Sequence, residues 1–214
     1  SIHGYGAAQL VNGRLLLCGF DVSLHLWRDA KYDGIIECNG VPFRIEVKST
    51  GMNKDPDYNE NQKLTFTSGG RSGAQINRDV ESREEILNVD DADFAIAVNS
   101  HDGTLWILPI EILSIIKRKD IFCKYANLFK EKVSIFKGIQ NTSFTTEIIK
   151  NGFLNYSLKE LENLCSSNNI KISNKVKSES FDYPWQLSSR ILSVNLNYKE
   201  SVILDIWKFI LNNC

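Results

Sequence analysis

Phe20, Val22, Leu24 and Leu26 alternate with Asp21, Ser23 and His25, the period-two pattern of a strand buried on one face. Ahead of it, Ala7, Ala8, Val11, Leu15 and Leu16 recur near helical spacing, which predicts a helix over Tyr5 to Leu17 that Asn12 and Gly13 weaken in its middle. Asp33 to Cys38 and Val41 to Lys48 are strand-like runs joined by Asn39-Gly40, the preferred pair for a two-residue type I′ hairpin turn. Thr50 to Gly73 is rich in Gly, Asn, Asp and Ser and reads as a long loop holding one strand-like run, Leu64 to Thr67. Ser82 to Leu87, with Arg83, Glu84 and Glu85, reads as a helix end. The continuous apolar run Phe94 to Val98 predicts a buried strand, Thr104 to Leu108 a second, and Pro109 opens a helix through Ile110 to Ile116. Beyond Lys117 the chain turns basic and mostly helical. Ser157-Leu-Lys-Glu160 is a capping-box pattern with Leu158, Leu161 and Leu164 behind it, and Tyr198 to Leu211 carries a stripe of Val202, Ile203, Ile206, Trp207 and Ile210.

The two-residue turn has a chemical consequence. If Cys38 pairs with Val41, the register sets Asp33 opposite Glu46, with Cβ atoms about 4.5–5.5 Å apart. Like charges so placed repel unless a cation sits between them. Lys48, two residues beyond Glu46, shares its face, while Phe43, Ile45 and Val47 point the other way into a core. Carboxylate oxygens are the hard ligands Mg²⁺ prefers, and an ion held by one or two of them keeps several waters. Such an ion acidifies water and stabilises charge on a phosphoryl oxygen. Lys48 would orient the water or neutralise the developing charge, so hydrolysis of a phosphodiester is the inferred reaction. The same three side chains would equally suit an exposed salt-bridged patch on a surface hairpin.

Composition narrows the class of protein. With 214 residues, 43% hydrophobic and 24% charged, the chain is an ordinary globular sequence rather than a disordered one, and no apolar run approaches a membrane span. No signal peptide is visible in the sequence. Five scattered cysteines without a C-x-x-C pair argue against a disulfide framework or a zinc site and point to a reducing, cytoplasmic setting. The net charge of −1 is a cancellation: residues 1–107 sum to −6 and residues 108–214 to +5.

Further segments carry the same stamp. Gly6-Ala7-Ala8-Gln9, Gly19-Phe-Asp-Val22, Tyr32-Asp33-Gly-Ile-Ile36, Phe43-Arg-Ile-Glu-Val-Lys48, and Asp91-Ala-Asp-Phe-Ala-Ile96 leading to Trp106-Ile-Leu-Pro109 resemble the restriction-endonuclease-like PD-(D/E)XK nuclease superfamily. The branch they are similar to includes resolvases, an intron-encoded endonuclease and many type II restriction enzymes. The resemblance spans roughly residues 4–116 and implies an α/β (α+β) core, ordered helix, three strands, helix, strand, around a mixed sheet. It also implies roles: Asp33 and Glu46 as metal ligands, the Val47 carbonyl completing the site, and Lys48 as the catalytic lysine. Many relatives have a glutamate on the first helix where this chain has Gln9, an accessory position without charge, so a second metal is not expected to be held there.

These readings define a nuclease core over 1–116 and a basic, mainly helical extension over 117–214 for DNA binding or dimerisation. The expected protein is a Mg²⁺-dependent DNA endonuclease, with Mn²⁺ as a substitute, of the type II restriction kind. Holliday-junction resolvase, homing endonuclease, RNA-directed nuclease and an inactive nucleic-acid-binding module are the alternatives. Double-stranded DNA is the expected partner, and cutting both strands makes a homodimer economical; no nucleotide cofactor and no membrane are expected. Lys54, Lys63, Arg71, Arg78 and Arg83 are candidate phosphate contacts, although Arg78 and Arg83 could as well pair with neighbouring acids. His3, His25 and His101 are too dispersed for a metal cluster and read as exposed. Asp90, Asp91 and Asp93 read as helix termination and solvation, and Trp27, Trp106, Trp185 and Trp207 as core or interface.

Overall fold

The computed structural model describes residues 2–25, 30–50, 69–72, 83–116, 126–173 and 198–214. Helix α1 (Ile2–Leu17) buries Ala7, Val11 and Leu15, spaced four apart, on one face. It ends in a Schellman arrangement: Gly19 adopts φ +83°, its amide donates to the Leu16 carbonyl, and the Phe20 amide donates to Leu15. The chain then enters β1 (Asp21–Leu24), β2 (Gly34–Cys38) and β3 (Val41–Thr50). Asn39 and Gly40 between the last two strands have φ 51° and 78°, as a type I′ turn requires.

Strands β6 (Phe94–Asn99) and β7 (Leu105–Pro109) complete a five-stranded sheet of order β1-β2-β3-β6-β7. Neighbours are antiparallel except β3 and β6, which run parallel, so the sheet is mixed. β6 and β7 are buried at every position, as their unbroken apolar runs demand. Helix α2 (Ile110–Ile116) follows directly. The protein is a mixed α+β fold with helices flanking the sheet.

Two readings of the segment between β3 and β6 need correction. Arg83 to Ile86 is not a helix end but strand β5 (Arg83–Ile86), and within the expected loop Gly69–Ser72 forms β4, paired antiparallel with it. Pairing with Gly69–Ser72 overrides the helical look of Arg-Glu-Glu. The helix that the family resemblance implies at this point of the chain is absent among the described residues, where β4 and β5 stand instead. The run Leu64 to Thr67 lies outside them.

Past residue 125 the described chain is helical: α3 (Ala126–Phe129), a 3-10 turn (Val133–Lys137), α4 (Thr146–Asn151), α5 (Leu158–Ser167) and α6 (Tyr198–Asn212). The capping box at α5 is present in both halves, Ser157 Oγ accepting from the Glu160 amide and the Glu160 carboxylate from the Ser157 amide. Leu161 is buried behind it and Leu158 exposed. All five residues of the predicted stripe on α6 are buried. These helices pack on the odd-numbered face of β3. Phe136 meets Phe43 at 5.3 Å and Phe94 at 5.1 Å between ring centroids, while Trp207 meets Phe94 at 6.2 Å and Phe153 at 5.4 Å. Edge-to-face contacts of this kind add to the burial of large apolar area. One hydrophobic core therefore runs from the sheet into the C-terminal helices.

Candidate metal and phosphodiester site

The hairpin register extends as the turn dictates, pairing Cys38 with Val41 and continuing to Gly34 with Ile45. The Asp33 amide donates to the Ile45 carbonyl at 2.9 Å, one residue out of that register, so regular pairing stops at Gly34 and Asp33 bulges, its carboxyl still within hydrogen-bonding reach of Glu46. Here β2 ends. Residues two apart on a strand present their backbone groups to the same edge, so the Val47 amide and carbonyl face the space that β2 has vacated. The Asp33 carboxylate fills it, Oδ2 accepting from the Val47 amide at 2.6 Å. That bond fixes the Asp33 side chain beside both the Val47 carbonyl and Glu46. On the opposite face Phe43, Ile45 and Val47 are buried, as expected.

Lys48 Nζ lies 2.7 Å from Glu46 Oε1. The two side chains are only 18% and 15% exposed, which sets the pair apart from a solvated surface patch. Burial pushes the Glu46 carboxyl above its ordinary range. Lys48 pulls it back, and the Asp33 carboxylate, near enough to share a hydrogen bond, pushes it up again. Two carboxyl groups thus share one ammonium in a half-buried place. The donor set of two carboxylates and a carbonyl consists of hard oxygens and suits a divalent ion that keeps several waters. Among the described residues no group of three or more His, Cys, Asp or Glu side chains is placed to hold a metal ion.

The strand is also anchored two residues upstream. Asp93 Oδ2 accepts from the Arg44 amide at 2.7 Å, and the Arg44 guanidinium reaches Asp93 Oδ1 and the carbonyls of Asp90 and Val89, each at 2.9 Å. Asp93 thus serves as a clamp on β3, not as a solvated helix end, and Asp91 closes a turn by accepting from the Asn88 amide. The periodicity of β3 gave no sign of this clamp, since Asp93 lies 49 residues from Arg44.

The other expected site residues fall elsewhere. Gln9 is exposed on α1, on the side turned away from Ala7, Val11 and Leu15, and no described contact joins it to the carboxylates. Arg71 and Arg83 lie on the paired strands β4 and β5. Lys54, Lys63 and Arg78 are outside the described residues, as are Trp27 and Trp185. Trp106 and Trp207 are core residues. His25, read as merely exposed, is exposed, yet its backbone amide donates to the Asp33 carbonyl. Cys18, Cys38, Cys165 and Cys214 are free thiols. No helix among the described residues is long and apolar enough to cross a membrane.

No family model matches the chain, and no curated protein matches it. A solved structure of a bacterial homing endonuclease, I-Ssp6803I, is similar, with 18% sequence identity and a TM-score of 0.49 over 63% of this chain and 90% of that one. A likeness at that level assigns neither family nor chemistry, which the site residues themselves must carry.

Proposed function

We propose that this protein is a divalent-metal-dependent endonuclease that hydrolyses phosphodiester bonds in double-stranded DNA, of the restriction type and acting as a homodimer. The observation that carries the reading is the convergence of Asp33, Glu46, the Val47 carbonyl side and Lys48 at the end of β2. Asp33, Glu46 and the Val47 carbonyl would hold Mg²⁺ or Mn²⁺. When bound, the ion supplies Lewis-acid polarisation and charge neutralisation at the phosphate.

The chain's own residues do the positioning. The Val47 amide orients Asp33, and Glu46 holds the Lys48 ammonium at the site. Lys48 donates to a phosphoryl oxygen or to the attacking water as negative charge builds. The water oxygen forms the new bond to phosphorus, the opposite sugar oxygen leaves with its electron pair and takes up a proton, and the water's proton passes to solvent. Among the described residues there is one such site, so cutting two strands of a duplex calls for two copies related by a twofold axis.

The test is cleavage of supercoiled plasmid, branched DNA and RNA by wild type and Lys48→Ala with Mg²⁺ or Mn²⁺. Wild type should nick or linearise plasmid, and the variant should be slower by about 10²–10³-fold. Preference for the branched substrate would move the reading to a resolvase, and preference for RNA to an RNA-directed nuclease. If purified wild type cuts none of them with either ion, the nuclease reading fails.

A further inference from the structure

The row that carries Asp33 and Glu46 continues onto a third strand. β1 and β2 pair Asp21 with Glu37 through Leu24 with Gly34, and the His25 amide donates to the Asp33 carbonyl at 2.7 Å. His25 is therefore the cross-strand partner of Asp33. Opposed residues of an antiparallel pair project to the same face, so His25, just past β1, stands beside Asp33, just ahead of β2, whose carboxyl reaches Glu46 on β3, with Lys48 beyond Glu46. His25 and Glu46 are two strand spacings apart, about 10 Å. That span admits a phosphate group and the sugar beside it.

Exposure along β1 agrees with this face. Asp21, Ser23 and His25 are exposed, whereas Val22 and Leu24 between them are half-buried. The imidazole is nonetheless oriented, its ring meeting Tyr32 edge-on with centroids 4.8 Å apart and planes at 67°. At the far end of the same two strands Asp21 faces Glu37, both exposed, an acidic pair that repels a phosphate backbone. The acidic end of the two strands thus lies away from the carboxylates, and His25 is the exposed neighbour of Asp33.

We propose that His25 is a substrate-binding residue of this site, donating an imidazole N–H to a DNA backbone phosphate on the side of Asp33 remote from Lys48. The inference rests on the nuclease reading above. It does not depend on protonation, since a neutral imidazole keeps one N–H donor and an imidazolium has two. Phosphate contacts of this kind fix register on the duplex and carry no sequence information.

The experiment compares wild type, His25→Ala and His25→Asn in three measurements: binding of a duplex oligonucleotide with Ca²⁺, single-turnover cleavage with Mg²⁺, and thermal unfolding. His25→Ala should weaken binding and raise KM by about 10- to 100-fold, the loss expected for a hydrogen bond to a charged group. The rate at saturating DNA should change little. His25→Asn, which keeps an N–H donor, should recover most of the affinity, and the unfolding midpoint should be unchanged in both. Wild-type affinity in His25→Ala, or a loss that tracks a lowered midpoint, overturns the assignment of His25 and leaves the nuclease reading standing. A wild-type protein that neither binds nor cuts DNA overturns both.

Discussion

Glu46 and Glu111 are both driven toward the neutral form by burial, and the chain surrounds them in opposite ways. Glu111, at the start of α2, accepts from the Phe153 amide at 2.7 Å, the Leu154 amide at 3.2 Å and the indole of Trp207. Even so, burial holds its carboxyl at about 7. Gly152, with φ +66°, makes room for it, since a Cβ there would come within 2.5 Å of Glu111 Oε2. These neutral donors lie between α4 and α5 and on α6, so this carboxyl ties both to α2. Glu46 is left instead with one ammonium and a second carboxylate. The carboxyl that holds the fold is hydrogen-bonded to fixed neutral donors of distant segments, and the one proposed for chemistry shares a single ammonium with a second carboxyl group.

The contrast is sharpest in paired activity and stability measurements. Lys48→Ala or Asp33→Ala should reduce cleavage by about 10²–10³-fold. Asp33→Ala leaves the part-buried Val47 amide without its acceptor and should cost about 1–3 kcal/mol, and Lys48→Ala less than that. Glu111→Ala should act chiefly on stability. Leaving two buried amides and an indole without an acceptor costs roughly 3–5 kcal/mol. For a chain of this length that is about 6–20 °C of midpoint, read by calorimetry, with cleavage well below the midpoint within a few-fold of wild type.

The pH dependence of stability separates the two glutamates next. The folded-state pKa of Glu111, about 7, lies above an ordinary unfolded value of 4.5. Between those values the unfolded chain loses this proton while the folded chain keeps it. Stability therefore falls as pH rises from about 4.5 to 7, by up to about 3 kcal/mol, and levels off above. Glu111→Gln should flatten that part of the denaturant-derived curve, measured as the difference from wild type. The smallest effect belongs to Asp33→Asn in metal-free protein. The amide oxygen can still accept from the Val47 amide, and relief of the repulsion with Glu46 should leave stability unchanged or raise it by up to about 1 kcal/mol.

How far each region was legible in the sequence follows from how local its determinants are. Asn39-Gly40 fixed the register of β2 on β3 as far as Gly34, so the nearness of Asp33 to Glu46 and Lys48 was readable without a structure, though not the break in the ladder at Asp33. The capping box of α5 and the stripe on α6 were equally local. His25 was placed correctly on a polar face. Its partnership with Asp33 was hidden because no two-residue turn sets the register between Leu24 and Gly34. Glu111 meets Phe153 and Trp207 across 42 and 96 residues, separations at which no periodic pattern speaks. Strand β5 was misread because Arg-Glu-Glu-Ile has helical character and its partner, Gly69–Ser72, lies in a stretch that reads as loop.

On the proposed function, Asp33 and Glu46 share a single ammonium so that a divalent ion completes the site at DNA. Calorimetric titration of Ca²⁺ into the protein with a duplex oligonucleotide tests it most directly, comparing wild type with Asp33→Asn. Saturable binding by wild type that is weakened at least tenfold in the variant, with both equally folded, is the predicted result. Equal binding by the two proteins, or none by wild type, would contradict the claim.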